Sequence, residues 1–211
     1  MSFRHPVIAF DLDGTLLRNT SGSLLLAHAM GHLTAVEELE RLYAEYGIDH
    51  HEYSTREAPL FAGTTTGQIR DHLRDAPWIG GLEETFTELA DAGCTLLLAT
   101  LAWEFVSEAI EHRPWFAAVS GVGMEINDGV LSGRVSRHMS EDGKVTFVDG
   151  WCRANGVALA DVAAVGDSRS DVSLFRAAGT TIALNATPDA RAVADHVVDT
   201  DDLRDILPLL R

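Results

Sequence analysis

Cysteine and lysine are both scarce in this chain of 211 residues. The two cysteines, Cys94 and Cys152, are far apart and form no CxxC pair, which argues against a disulfide scaffold and a cysteine-based zinc site. Fifteen of the 16 basic residues are arginine, and Lys144 is the single lysine. Genome composition or salt adaptation accounts for the arginine bias, but it does not explain why a lysine stands at position 144.

Runs of basic residues and long apolar segments are also absent. The formal net charge is −16, so the mean field of the protein repels polyanions and nucleic acid is not an expected partner. No stretch approaches the roughly 18 apolar residues of a membrane span. Asp11 interrupts the first apolar run, which is not typical of a signal peptide. We therefore expect a cytoplasmic protein without a membrane partner, and the oligomeric state stays open.

Short apolar runs alternate with helical patterns along the chain. Continuous apolar runs are typical of strands buried on both faces, and five are predicted here, at 7–10, 95–99, 162–165, 180–183 and 196–198. Helical periodicity follows at 82–92, 103–112 and 145–155. The turn signal Asn127-Asp128-Gly129 predicts a β-hairpin. This order predicts an α/β fold with a parallel sheet between two layers of helices.

The segment 19–75 breaks the alternation, because it has helical patterns and no convincing strand. It directly follows the first strand and its loop, so we expect it over the carboxyl edge of the sheet, where open α/β sheets bind ligands. Such an insertion can act as a lid. The chain is therefore predicted to comprise a core, at 1–18 and 76–211, and a helical insertion at 19–75.

Acidic residues follow two of the predicted strands. Asp11 and Asp13 lie in Asp-Leu-Asp-Gly-Thr directly after the first strand, and Asp167 and Asp171 lie in Gly-Asp-Ser-Arg-Ser-Asp after the third. Like charges at this range raise a pKa or require a cation. Because parallel strands end at one edge of the sheet, four carboxylates are predicted to converge there, and Mg²⁺ is the cation that such oxygen ligands suit.

A hydroxyl and the single lysine are predicted to join this acidic edge. Thr100 follows the second strand, and Lys144 stands at the start of a helix. Each alone is commonplace, since such a threonine usually caps a helix and such a lysine usually faces solvent. Together with a metal, however, an amine and a hydroxyl constitute a phosphate site.

These motifs resemble those of the haloacid dehalogenase-like phosphohydrolases, in the same order along the chain. The matching segments are VIAFDLDGT, LLLATLA, the Gly-Lys pair at Lys144, and GDSRSD, spanning about 7–198. The family has a Rossmann-like core with an inserted cap, and the helical insertion resembles the cap of its phosphoserine-phosphatase-like branch. The segment Gly123–Gly133 also resembles that branch.

The resemblance implies roles for the edge residues. Asp11 corresponds to the nucleophile that forms an aspartyl-phosphate, and Asp13 to the general acid and base. Thr100 and Lys144 correspond to contacts of the phosphate oxygens. An acid at position 13 is found in members acting on phosphate esters, whereas the dehalogenases lack it and the ion-pumping ATPases carry threonine.

The resemblance also implies a metal centre. Asp11, the backbone carbonyl of Asp13 and Asp167 correspond to Mg²⁺ ligands, and Asp171 to a carboxylate supporting the metal shell or Lys144. A Schiff base of the kind formed by phosphonate-cleaving members is excluded, because the helical insertion contains no lysine.

Three further residues bear on the substrate, expected to be a small phosphorylated metabolite. Thr20 stands where phosphoserine phosphatases carry a glutamate that pairs with the substrate ammonium, so phosphoserine is a candidate only. Arg56 could contact a substrate carboxylate, and Trp103, which replaces a small residue of the second motif, is expected to narrow or floor the pocket.

The expected function is a Mg²⁺-dependent phosphatase. The alternatives are a phosphotransferase or phosphomutase of the same superfamily, since the sequence does not show the acceptor, and a non-catalytic phosphate-binding module.

Overall fold

A six-stranded parallel sheet forms the centre of the protein, in the order β3-β2-β1-β6-β7-β8. The computed structural model describes residues 3–211, so the first two residues of the predicted core segment 1–18 lie outside the described residues. The strands are β1 (Val7–Phe10), β2 (Thr95–Leu98), β3 (Phe116–Val119), β6 (Val162–Gly166), β7 (Thr180–Leu184) and β8 (His196–Val198). The predicted α/β fold is confirmed.

One strand of the sheet, β3, was not predicted. Its sequence Phe-Ala-Ala-Val is short and rich in alanine, which is a weak strand former. The strand lies at the edge of the sheet beside β2, where only Phe116 is fully buried. Its pairing partner, rather than its own sequence, therefore decides its conformation.

The sheet separates two apolar layers. Alternate residues of β1 point to opposite faces, so Ile8 and Phe10 pack in one layer and Val7 and Ala9 in the other. Helices cover both faces: α5 (Leu82–Asp91) and α6 (Glu104–Ala109) pack in the first layer, and α7 (Glu141–Asn155), α8 (Val172–Phe175) and α9 (Pro188–Arg191) in the second. This double burial explains why the strands are apolar without interruption.

Four helices follow β1 before the chain returns to the core. They are α1 (Gly22–Met30), α2 (Leu33–Ala44), α3 (His50–Glu57) and α4 (Thr66–Leu73). The antiparallel hairpin of β4 (Gly123–Asn127) and β5 (Val130–Arg137) contacts this helical insertion, since the amide of Gly63 donates to the carbonyl of Leu131 at 2.9 Å. Within residues 3–211, every helix falls short of the length and apolarity needed to cross a membrane.

The strand register brings distant segments to one edge of the sheet. Phe10 at the end of β1 pairs with Leu98 on β2 and Val165 on β6. The residues that follow these strands therefore begin at the same level. Asp11 is held there by a hydrogen bond from its amide to the carbonyl of Val165, at 2.9 Å.

Candidate active site

Asp11 and Lys144 form a buried ion pair at the carboxyl edge of the sheet. The Lys144 Nζ lies 2.9 Å from Asp11 Oδ1 and 2.8 Å from Asp171 Oδ1, and it donates to Ser170 Oγ at 2.8 Å. The lysine side chain has no exposed area. The expected solvent-facing position of such a lysine is therefore not adopted here, because the first turn of α7 directs Lys144 into the acidic edge.

Asp171 supports this arrangement with both of its carboxylate oxygens. One oxygen accepts from Lys144, and the other accepts from the backbone amides of Asp167 and Ser168, each at 3.1 Å. The backbone must approach closely here: a Cβ on Gly166 would lie 2.2 Å from the carboxyl carbon of Asp171. The glycine of Gly-Asp-Ser-Arg-Ser-Asp is therefore a steric requirement of the site.

Asp167 points into the space between the motifs. A Cβ on Gly14, whose φ is +77°, would lie 2.3 Å from Asp167 Oδ2, so the glycine of the first motif makes room for this carboxylate. Oδ1 of Asp167 is buried and has no hydrogen-bond partner. A buried carboxylate oxygen without a donor is costly. The site therefore fits a ligand that supplies positive charge at Asp167.

Asp13 and Thr100 flank the nucleophile position. Asp13 Oδ1 accepts from the amide of Gly22, at 2.8 Å, which ties the first motif to the start of α1. Thr100 Oγ1 accepts from the amide of Ala102 at 3.0 Å, and its own amide donates to Ser120 Oγ at 2.9 Å. Both side chains line the same cavity as Asp11.

Burial is the largest cause of the pKa shifts of the aspartates at this edge. Burial raises the pKa of Asp11 to about 7 against the opposing effect of Lys144, and it raises the pKa of Asp13 to about 7 against the hydrogen bond from Gly22. Burial likewise raises the pKa of Asp167 well above its ordinary value, and Asp11 adds to this. Burial disfavours the charged form of Lys144, but the negative charges of Asp11 and Asp171 outweigh this effect and raise the pKa of Lys144.

Three carboxylates of the edge could hold a metal ion. Asp11, Asp167 and Asp171 each offer an oxygen, and these oxygens lie within 4.8 Å of one another. The set is composed of hard oxygen donors, which suit Mg²⁺ and Ca²⁺ rather than softer metals. Since both oxygens of Asp171 already accept hydrogen bonds, Asp11 and Asp167 are the better available ligands and Asp171 is the orienting carboxylate.

A cavity of about 590 Å³ opens over this edge, between it and the helical insertion. Thr20 and Trp103 line it, and Trp103 is itself buried. Arg56 does not line it: its side chain is exposed and pairs with Glu52, at 3.4 Å on the same helix. The structure thus brings together the predicted residues of the edge but leaves Arg56 outside.

Two acidic residues of the insertion also line the cavity and were missed in the sequence. They are Glu40 on α2 and Glu57 at the end of α3. A signal was present, because each stands four residues after a buried apolar position, Val36 and Tyr53, and so occupies the inward face of its helix. An acidic residue within a buried helical stripe is unusual unless it is paired or functional.

The fold and the site together define a class of protein: an α/β enzyme with a metal-suited acidic centre at the carboxyl edge of a parallel sheet. The chain belongs to the haloacid dehalogenase-like hydrolase family, whose sequence profile matches residues 8–176. The resemblance drawn from the four motifs is thereby confirmed.

Individual relatives agree with this family. The chain is 24% identical over 212 residues to a phosphoserine phosphatase of Methanocaldococcus jannaschii, covering 100% of both chains. It is 28% identical over 207 residues to phosphoserine phosphatase SerB2 of Mycobacterium tuberculosis, covering 97% of this chain but 50% of that protein. The fold is similar to that of a phospho-aspartyl intermediate analogue of phosphoserine phosphatase, with a TM-score of 0.87 at 24% identity over 99% of this chain and 100% of that one.

Proposed function

We propose that this protein is a Mg²⁺-dependent phosphatase that hydrolyses a small phosphomonoester through an aspartyl-phosphate on Asp11. The observation that carries the proposal is the Asp11–Lys144 ion pair, at 2.9 Å, beside the partnerless oxygen of Asp167 and beneath the cavity between the edge and the helical insertion. A carboxylate held by an ammonium remains nucleophilic and fixed in direction. The relatives reported above, which are phosphoserine phosphatases, support the same chemistry.

The first step forms the covalent intermediate. An Asp11 oxygen attacks phosphorus, a new O–P bond forms, and the ester P–O bond breaks. The leaving alkoxide takes a proton from Asp13. The pKa of Asp13, raised to about 7, leaves a substantial fraction of this carboxyl protonated near neutral pH, where a general acid works best.

The second step releases phosphate. The Asp13 carboxylate takes a proton from a water molecule, whose oxygen attacks the phosphorus. The P–O bond to Asp11 breaks, which restores the Asp11 carboxylate and frees inorganic phosphate. Thr100 and Lys144 would contact phosphate oxygens in both steps. The support is that Thr100 lines the cavity and that Lys144 Nζ lies 2.9 Å from Asp11.

The divalent cation would be held by Asp11 and Asp167, with the backbone carbonyl of Asp13 completing the protein ligands. When bound, it neutralises charge so that an anionic carboxylate can approach an anionic phosphate. Asp171 positions Lys144 and the loop that carries Asp167. It accepts one hydrogen bond from Lys144 Nζ at 2.8 Å and another from the backbone amide of Asp167 at 3.1 Å.

The helical insertion, residues 19–75, serves in this proposal as the cap that closes over a small phosphorylated metabolite, and the core comprises 1–18 and 76–211. The support is that Arg169 of the Gly-Asp-Ser-Arg-Ser-Asp loop lies 3.8 Å from the centre of the Tyr43 ring and 4.2 Å from that of Tyr46, both in the insertion. Closure would exclude water from the first step.

Phosphate release from p-nitrophenyl phosphate tests the function. Asp11→Asn should abolish turnover, because an amide is not a nucleophile here, while the protein remains folded. Chelation should abolish the activity of the unaltered protein, and Mg²⁺ but not the larger Ca²⁺ should restore it. Turnover by Asp11→Asn at the unaltered rate would refute the mechanism. Product transfer to added alcohols, in place of free phosphate, would indicate a phosphotransferase.

A further inference from the structure

The wall of the cavity that belongs to the helical insertion carries two carboxylates. Glu40 accepts a hydrogen bond from Ser21 Oγ at 2.5 Å. Glu57 accepts from Trp103 Nε1 at 2.7 Å and from the Tyr53 hydroxyl at 3.3 Å. All of these side chains line the cavity that contains the nucleophile. The wall is therefore acidic, and its carboxylates are held in place by neutral donors.

This wall lies on the side of Asp13, where the leaving group departs. Ser21 bonds to Glu40, and the next residue, Gly22, donates its amide to Asp13 Oδ1 at 2.8 Å. Asp13 and Glu40 line the same cavity. A group attached to the departing oxygen would thus extend from Asp13 towards Glu40.

Of the residues the structure describes, neither arginine that lines the cavity pairs with Glu40 or Glu57. Arg18 pairs with Asp201 at 2.8 Å. Arg169 pairs with Glu141 at 3.1 Å and packs against the rings of Tyr43 and Tyr46, and its Nε and Nη1 are buried without a hydrogen-bond partner. His50 also lines the cavity, but burial lowers the pKa of this histidine to about 4, so it is neutral at pH 7. Arg56 is outside. The acidic wall thus has no counter-charge of its own.

Such a wall favours a cationic ligand and disfavours an anionic one. Glu57 is 1% exposed, and burial raises its pKa to about 8, the expected response of a carboxylate without a cation. An ammonium in the pocket would supply the missing charge, and the rings of Tyr53 and Trp103 add favourable cation–π surfaces. A substrate carboxylate at this wall would meet two carboxyl groups and no arginine.

We propose that the substrate is the phosphomonoester of an amino alcohol, whose ammonium binds at Glu40 and Glu57 and whose leaving group carries no carboxylate. This inference rests on the proposed phosphatase function. It sets phosphoserine apart, because phosphoserine carries the ammonium but also a carboxylate for which the acidic wall offers no cationic partner.

A matched substrate series tests the proposal through kcat/KM. O-phosphoethanolamine carries an amine alone, O-phospho-L-serine carries an amine and a carboxylate, and glycerol 3-phosphate carries neither. We expect O-phosphoethanolamine or its longer homologue 3-aminopropyl phosphate to exceed glycerol 3-phosphate at least about tenfold, equivalent to about 1.4 kcal/mol, and O-phosphoserine to fall below them. A preference for O-phosphoserine, or equal rates across the series, would overturn the inference.

Neutral variants of Glu40 and Glu57 test whether these two residues cause the preference for an amine substrate. Glu57→Gln keeps an acceptor for Trp103, and Glu40→Gln keeps one for Ser21, so each removes charge with little change in shape. Either variant should reduce the ratio of kcat/KM between the amine substrate and glycerol 3-phosphate at least about tenfold. A ratio that is unchanged in both variants would refute the assignment, and the two variants guard against the failure of either one to fold.

Two control variants lie on the same helices but face solvent. Glu38→Gln on α2 and Glu52→Gln on α3 remove the same charge from side chains that are 52% and 54% exposed and do not line the cavity. Both should retain the amine preference. An equal loss in these controls would show that the effect is the net charge of the protein, not the wall.

The generic substrate separates the two proposals. If p-nitrophenyl phosphate is hydrolysed but no amine preference appears, the phosphatase function stands and this inference fails. If no phosphomonoester is hydrolysed in the presence of Mg²⁺, both fail.

Discussion

Replacement of the single lysine by methionine is the sharpest test of the catalytic edge. Lys144→Met preserves side-chain length but removes the charge that lies 2.9 Å from Asp11 and 2.8 Å from Asp171. Breaking a buried pair by removing one partner costs about 3–5 kcal/mol. Asp171 keeps its two backbone amide donors, so Asp11 bears most of the loss. For a chain of this length the melting temperature should fall by about 6–20 °C.

The destabilisation should depend on pH in a defined direction. The pKa of Asp11 in the folded protein is raised to about 7, above its unfolded value, so ionisation of Asp11 destabilises the fold as pH rises from about 4 to 7. Lys144 opposes the rise in the pKa of Asp11. Without it the folded pKa moves higher, and stability continues to fall beyond pH 7. The variant should therefore lose more stability at pH 8 than at pH 5.

The assay is thermal unfolding in chelator at both pH values, with phosphate release in excess Mg²⁺ as a second readout. Ser170→Ala is the matched control, since it removes a 2.8 Å hydrogen bond from Lys144 but leaves the charge in place. This control should cost about 1–3 kcal/mol at both pH values. Turnover of Lys144→Met should fall by about 10²–10³. Equal destabilisation at pH 5 and pH 8, or a loss no greater than that of Ser170→Ala, would refute the ion-pair argument.

Three further perturbations test the metal centre and the closure of the cavity. Gly14→Ala places a Cβ 2.3 Å from Asp167 Oδ2, so Mg²⁺ affinity should fall at least about tenfold by calorimetry, and an unchanged affinity would contradict the steric argument. Mg²⁺ affinity should rise between pH 6 and 8, and binding should release protons, because the metal requires ionised Asp11 and Asp167, whose pKa values burial raises. An affinity that does not change with pH, or a binding heat that is the same in buffers of different ionisation heat, would contradict this. Arg169→Gln loses the contacts of the guanidinium with the Tyr43 and Tyr46 rings of the helical insertion, so KM should rise more than kcat falls and proteolysis within the insertion should accelerate. A change in kcat alone would argue against closure.

The catalytic edge was predictable because its positions follow from local pattern and one rule of topology. Asp11, Thr100 and Asp167 each stand within two residues of the end of a buried apolar strand. Parallel strands in register place such positions at one edge, and the pairing of Phe10 with Leu98 and Val165 does so here. No information about distant packing was needed beyond the order of the strands.

The position of Lys144 was less predictable. Its place at the start of a helix is equally consistent with an exposed lysine, and only its rarity in the composition and its position in the order of the family motifs drew notice. The burial of the side chain depends on the docking of α7 against the loop that carries Ser170 and Asp171, which lies 26 residues further along the chain. Contacts between residues so far apart in the sequence cannot be predicted from the hydrophobic periodicity of either segment.

The acidic wall of Glu40 and Glu57 was missed because a helix turns about 100° per residue, so that neighbouring residues in the sequence face different directions. Arg56 and Glu57 are adjacent in the sequence, yet the first is exposed and the second is buried. From the sequence, Arg56 is a candidate contact of a substrate carboxylate, whereas the packing of Tyr53 fixes which face of α3 is buried and turns Glu57 inward. The sign of the charge presented to the substrate thus depends on the phase of one short helix.

The charges of the whole site link these observations. Asp11, Asp13, Asp167 and Asp171 surround one ammonium, so with all four ionised three negative charges remain uncompensated before a phosphate enters. A divalent cation offsets two of them, and protonation of Asp13, whose pKa is about 7, offsets the third. The catalytic edge would then be neutral, with Asp13 protonated for its proposed role as general acid. A phosphate dianion can enter only in that state without net repulsion, which makes metal binding and the protonation of Asp13 two parts of one requirement.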